Sequence, residues 1–437
     1  MGTANEAPEQ HPNNFYKELD MVRYRQATKD DIEPLLNLIE RGFSIESDSV
    51  VDQEKGKEHR VLFSYLYSKK DWDPGWVYLA EDSGRLAAAV GFFPQQLFFD
   101  GITVPVWAVS PVVTDADFRG KGYAGTCLLR GLAELKERGV PAAFLWGLPR
   151  YYPRFGFVPI LPRYKTKIVP GKLTEKIEAR GGFRFVQYED LPKIAAVYNE
   201  GNVDNWLQPK RDLDWWRERF SEIDISGAFL KEVPFPKKEN FLVWENNKGE
   251  IKGYLNYLEE PGRKVVINES VAAEWEDAIE MVSLFATEMS LEKTLYIRGT
   301  PNHKLNAAAY RLGGTHMNPA PLAGMIKIID WLGFLSFLLP LLNQRTRSLT
   351  NIKNGDYLEW GYSTQQLHWV WHNTTGWEIK SNGGVPNNPE FEKFLSKLIL
   401  GFYDTFDLSQ IRTRDLNIIS CLFPKKYPFI WDNNYLY

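Results

Sequence analysis

The chain has 437 residues, 44% of them hydrophobic and 25% charged, with a formal net charge of −4. That length has room for roughly two to four domains with real cores, and the near-balanced charge gives no electrostatic case for nucleic acid or a membrane surface. Two cysteines, Cys127 and Cys421, are too few for a disulfide framework or a thiolate metal site, and six histidines show no metal-ligand spacing, so no metal is expected.

Residues 1–20 are polar and read as a disordered leader. They lack the apolar stretch of a secretory signal, so a cytoplasmic protein without a membrane span is the expectation. Arg23 to Gln26 predicts a short strand. Thr28-Lys-Asp-Asp31 then caps a helix with Ile32, Leu35, Leu36 and Ile39 on one face, and Gly42 ends it. A second helix is expected around Val61 to Tyr67. Trp76 to Ala80, Leu86 to Phe99 and Ile102 to Thr114 alternate with the turns Asp82-Ser83-Gly84 and Asp100-Gly101, which predicts an antiparallel run.

The last of these strands runs into Arg119-Gly120-Lys121-Gly122-Tyr123-Ala124-Gly125 at the start of a long helix. Glycines let backbone amides approach a ligand closely, and the first amides of a helix lack partners. Such an end, with its partial positive charge, suits a pyrophosphate, and Arg119 and Lys121 add formal charge. Cys127, inside the helix, reads as a buried thiol. An apolar strand, Ala142 to Trp146, follows, and then Tyr151-Tyr152-Pro153-Arg154-Phe155-Gly156-Phe157.

This order of glycine loop and Tyr-x-x-x-Gly-Phe segment resembles the GNAT superfamily of N-acyltransferases. The Val-Val-Thr lead-in and the chain length look most like its Eis-like (enhanced intracellular survival) members. The resemblance implies acetyl-CoA as co-substrate, held at Val112 to Thr114, at Arg119 to Gly125 and at Gly147. It implies Tyr152 as the acid that protonates the departing thiolate. It also implies the chain's terminal carboxylate, on Tyr437, as a water-mediated base. Here the tail departs from the family pattern, because Leu436-Tyr437 follows Asn434-Tyr435; Glu46 and Asp48 are the alternative bases. A primary amine is the implied acceptor: a polyamine, an aminoglycoside, a peptide N-terminus or a lysine. Eis-like relatives assemble as hexamers.

Further along, Arg184-Phe-Val-Gln-Tyr-Glu-Asp-Leu191 lines up with Arg25-Gln-Ala-Thr-Lys-Asp-Asp-Ile32, and Tyr310-Arg-Leu-Gly-Gly314 echoes the Tyr152 segment. A second, degenerate copy is therefore expected. At the place of the loop it has Ala273-Glu-Trp-Glu-Asp-Ala278, whose carboxylates would repel a pyrophosphate. From Ile326 to Leu339 an apolar helix is predicted. Two β-rich stretches, a helix from Pro389 to Phe402, a short helical piece near Leu408 to Arg412 and an aromatic tail complete a layout resembling a sterol-carrier-like domain. The expected class is α/β with mixed sheets. Its parts are a catalytic domain at 21–170, a degenerate copy at 171–322 and a C-terminal α+β domain at 323–437. A non-catalytic protein binding coenzyme A and an apolar ligand is the competing reading.

Overall fold

The first strand, β1 (Arg23–Gln26), passes through the predicted cap at Thr28 and Asp31 into α1 (Ile32–Phe43). The computed structural model describes residues 22–44, 52–225, 240–382, 388–401 and 413–426, apart from positions 170, 176, 204, 206, 290, 291, 319, 363 and 364. Glu46, Asp48, Tyr437 and the segment 408–412 lie outside the described residues. Gly42 does not stop α1 but sits inside it: a Cβ there would stand 2.2 Å from Val113 Cγ2, so the glycine allows helix and sheet to meet. After α2 (Gln53–Ser68) come β2 (Val77–Asp82), β3 (Arg85–Phe99) and β4 (Ile102–Thr114), an antiparallel meander. Helix α3 (Tyr123–Glu137) then crosses over to β5 (Ala142–Trp146), parallel to β4, and β6 (Val158–Arg163) follows.

The next strand, β7 (Lys165–Ile168), already belongs to a second sheet. That sheet is built from β8 (Gly182–Phe185), α4 (Leu191–Asn202), α5 (Leu213–Ile225), β9 (Phe241–Glu245), β10 (Ile251–Glu260), β11 (Lys264–Ala272), α6 (Trp275–Leu284), β12 (Thr294–Arg298), α7 (Lys304–Arg311) and β13 (Thr315–His316). Then β14 (Ala320–Ile328) returns to the first sheet. The orders are β1-β2-β3-β4-β5-β14-β6 and β13-β7-β12-β11-β10-β9-β8. The exchange is reciprocal. Strand β14 lies antiparallel between β5 and β6, and β7 lies antiparallel between β12 and β13.

Ile326 therefore starts no helix. It pairs with Phe144 and Val158 in the middle of β14, and the helix, α8 (Trp331–Arg347), begins only after Asp330. An apolar run could serve either element; here the slot between two strands satisfies its backbone on both sides. The chain continues through β15 (Tyr357–Tyr362), β16 (Gln365–His372) and β17 (Gly376–Asn382), a three-stranded antiparallel sheet, to α9 (Pro389–Ile399) and α10 (Thr413–Leu422).

Helices α1 and α2 cover one face of the first sheet and α3 the other. A third core joins Phe99, Val104, Val106 and Phe144 of that sheet to Phe334, Leu338, Trp369 and Trp377, so the C-terminal region shares its interior with the first sheet. Asp100, at the β3–β4 turn, takes the guanidinium of Arg345 and the ammonium of Lys426 (2.9 Å). Beyond the end of β2, β3 takes up a segment of the second unit: Leu207 donates to Phe98 O and Phe98 to Gln208 O. Both junctions lie at the end of the sheet opposite the glycine loop. Among the described residues no helix is long and apolar enough to cross a membrane.

Candidate active site

Strands β4 and β5 pair at Trp107↔Ala143 and Ala108↔Phe144 and then part. The local cause is a bulge. The β3–β4 register shifts between Val90 and Phe92, which leaves Ser110 and Pro111 opposite Gly91. A Cβ on Gly91 would stand 2.5 Å from the Ser110 carbonyl oxygen, so only glycine fits that approach. Past the bulge, Val112, Val113 and Thr114 keep Val90, Ala89 and Ala88 as partners, and their outer edge faces the gap.

The gap leads to the glycine loop. A 3₁₀ turn (Ala116–Phe118), capped by Asp115, comes first; Gly120 (φ 83°) and Gly122 (φ 81°) then take left-handed conformations, and α3 starts at Tyr123. Among the described residues the amides of Gly120, Gly122, Tyr123, Ala124 and Gly125 donate to no protein acceptor, and the first helical bond is Thr126 N to Gly122 O. This is the arrangement an anion needs: converging N–H groups at a positive helix end. The two charges expected to assist are turned to the rim. Arg119 donates to the Gly42 carbonyl (3.2 Å), and Lys121 meets Asp82 (3.0 Å). Asp115, nearly buried, accepts from Arg41 (3.0 Å) and so ties the loop to the end of α1.

Gly147 and Tyr152 are in contact. A Cβ on Gly147 would lie 2.3 Å from Tyr152 Cε2, so the tyrosine ring rests directly on that backbone. Tyr152 is buried, edge-on to Tyr151 (4.9 Å) and Phe157 (6.1 Å), and its hydroxyl bonds to no described residue. Burial holds the phenol well above its usual pKa, so it stays protonated throughout the neutral range. Cys127 is fully buried, with its thiol pushed up to about 12 by the same cause.

Two residues that the sequence reading left aside stand nearby. The Tyr151 hydroxyl is 3.7 Å from where a Gly125 Cβ would be, at the first turn of α3. Arg154 stacks over Tyr151 (4.0 Å) and Phe155 (4.9 Å) and has no carboxylate partner among the described residues. Their signal in the sequence was an arginine between the aromatic residues of the tyrosine segment.

The second sheet has the same gap but closes it from within. Strands β11 and β12 pair from Lys264 to Ile267 and then part, beside a register shift between Asn256 and Tyr257. Lys304, at the start of α7, donates its ammonium to the carbonyls of Ala272 and Ala273. His303, which precedes α7 as its cap residue, is buried beside Lys304. Glu276 and Asp277 occupy the first turn of α6. Tyr310, the counterpart of Tyr152 in sequence, is exposed and stacks on His316 (4.6 Å).

Residues 23–160 match the family model of the acetyltransferase (GNAT) domain. The GNAT domain thus spans β1 to β6 and contains the gap, the glycine loop and Tyr152. No curated protein matches the chain in sequence. Among solved structures, a probable N-acyltransferase of Enterococcus faecalis is similar over 94% of this chain and 99% of its own, with TM-score 0.69 and 14% identity. A GCN5-related N-acetyltransferase from Anabaena variabilis gives 0.67 and 14% over the same shares. Eis1 from Mycobacterium abscessus gives 0.62 and 13% over 93% and 99%. At such identities the likeness is one of fold: tandem GNAT-like α/β units with mixed sheets, in a likeness that covers 93–94% of the chain. Among the described residues no group of three histidines, cysteines or carboxylates is placed to hold a metal.

Proposed function

We propose that the chain is an acetyl-CoA-dependent N-acetyltransferase acting on a primary amine by direct attack. The observation that carries this reading is the β4–β5 gap, which opens between a row of free amides at the glycine loop and a protonated, buried Tyr152. Coenzyme A would lay its pantetheine along Val112 to Thr114 and Gly147, with its pyrophosphate on the amides from Gly120 to Gly125. The neutral amine attacks the thioester carbonyl, the C–S bond breaks, and the Tyr152 phenol gives its proton to the thiolate. The amine's proton leaves through water, with the carboxylate of Tyr437 as the base in this proposal. The second unit and the C-terminal region wall the acceptor cleft in a three-part Eis-like plan, with parts at 21–170, 171–322 and 323–437. A cytoplasmic oligomer belongs to the same reading.

The test is release of free thiol from acetyl-CoA with a panel of polyamines, aminoglycosides and peptides. Turnover with at least one amine, reduced about 100-fold or more in Tyr152→Phe, is expected. Tight coenzyme A binding without thiol release for any amine would instead favour a sensor that binds the coenzyme.

A further inference from the structure

A carboxylate beside a loop built for anions calls for an explanation, and Asp82 is such a carboxylate. It ends β2, beside the turn Ser83-Gly84, and is nearly buried. Its Oδ2 accepts from Tyr123 (2.6 Å) and from Lys121 (3.0 Å), and Oδ1 accepts from Ser83 (2.9 Å). Lys121 lies between the two left-handed glycines, and its ammonium also rests over the rings of Phe118 (4.8 Å) and Tyr123 (5.6 Å). One strand turn therefore grips two side chains of a loop that comes after a different strand.

We infer that Asp82 is a positioning residue that withholds the Lys121 charge from the anionic ligand of the loop and so weakens the grip on coenzyme A. This rests on the coenzyme A reading above. With the pair formed, the loop presents backbone amides and a helix end, and the ammonium is neutralised at the rim. Without the carboxylate, an unpaired ammonium stands on the loop, and the repulsion between Asp82 and a polyanion disappears. Both effects favour binding. For an enzyme that must let go of a product as highly charged as coenzyme A, a weaker grip promotes release, a step that often limits turnover.

Calorimetry with coenzyme A at low and high salt tests this. Asp82→Asn is expected to bind about three- to tenfold tighter at low salt, with the gain shrinking to under about twofold at 0.5 M salt. Asp82→Ser, which deletes the charge with a smaller side chain, shows the same gain, and Asp82→Glu returns to within about twofold of the parent. In a Lys121→Met background the gain from Asp82→Asn is expected to fall by more than half, since the carboxylate acts through the ammonium. Weaker or unchanged binding in both charge-deleting variants, or a gain that persists in full without Lys121, overturns the inference. Absence of coenzyme A binding in the parent protein is a different result, and it sinks the coenzyme reading itself.

Discussion

Arg184 holds Asp190 in the second unit as Arg25 holds Asp31 in the first. Each guanidinium grips its carboxylate with two hydrogen bonds, at 2.7 and 2.6 Å for Arg25 and 2.7 and 2.8 Å for Arg184. Each also reaches a glutamate on the neighbouring strand, Glu81 or Glu245, and the carbonyl of its own successor, Gln26 or Phe185. The clasp ties the first strand of a unit to the cap of its first helix. Arg25 holds the Asp31 carboxyl at about 2, against an ordinary 3.8. Because the folded value is the lower one, this contribution is present in full above pH 3.8 and is lost as pH falls through about 2. Asp31→Asn and Asp190→Asn should each lower stability by about 1–2 kcal/mol, read from urea unfolding near neutral pH.

Coenzyme A should titrate to one site per chain. Gly122→Glu puts a side chain on a left-handed backbone and a like charge at the anion site, although the space around it is open (φ 81°, nothing within 4 Å). Affinity should drop by roughly tenfold or more. Two sites per chain by calorimetry would contradict the occlusion of the second gap by Lys304 and His303.

Tyr152→Phe should reduce turnover by about 10²–10⁴-fold while coenzyme A affinity holds, since only the acidic proton is removed. Tyr151→Phe should cost less in turnover and more in coenzyme affinity, because its hydroxyl stands at the first turn of α3. Gly147→Ala offers an independent probe. Its new methyl would meet the Tyr152 ring, so it should depress turnover by displacing the phenol with the hydroxyl still present. Stopped assays with saturating acetyl-CoA separate the three.

Acid should loosen the second unit before the first. His303 is buried, and burial lowers its pKa from 6.5 to about 4. The folded state therefore keeps it neutral while the unfolded chain takes up a proton. Stability is full above pH 6.5 and declines as pH falls towards 4, by on the order of 3 kcal/mol. His303→Gln should flatten that slope in urea melts between pH 7 and 4; an unchanged slope would assign it to another group.

Arg211 and Glu269 form a buried pair, each 1% exposed, joined at 2.7 and 2.9 Å and completed by the Tyr254 hydroxyl at 2.6 Å. The guanidinium is also stacked on Tyr198 and Trp215. Arg211→Met leaves a buried carboxylate alone and should cost about 3–5 kcal/mol. Replacing both partners with apolar residues of similar volume should recover much of that loss in thermal unfolding.

The candidate site was legible because its parts are local. The Arg119 to Gly125 loop and the Tyr152 segment carry their chemistry in short runs, and Arg25 to Asp31 with its echo at Arg184 to Asp190 marked both units. What escaped was long-range. Nothing in Ala320 to Ile328 says that these residues pair with β5 and β6, since an apolar run looks alike in a strand and a helix. The occupants of the second gap, His303 and Lys304, reach it from another element, and no sequence spacing reveals that contact. Asp82 is invisible for the same reason: its partners lie across two strands.

The reciprocal exchange of β7 and β14 bears on how such a protein is made and on what its second unit supplies to the first. Ala142 of the first sheet has Ile328 as its partner, so the ribosome must finish the entire second unit before the first sheet can close. Until then β5 and β6 lack the strand that belongs between them, a vacancy that a neighbouring nascent chain could fill to give entangled dimers. A gene truncated after the first unit would inherit that vacancy permanently. Whatever the second unit binds, it is not dispensable, because the first sheet depends on the strand that comes back from it.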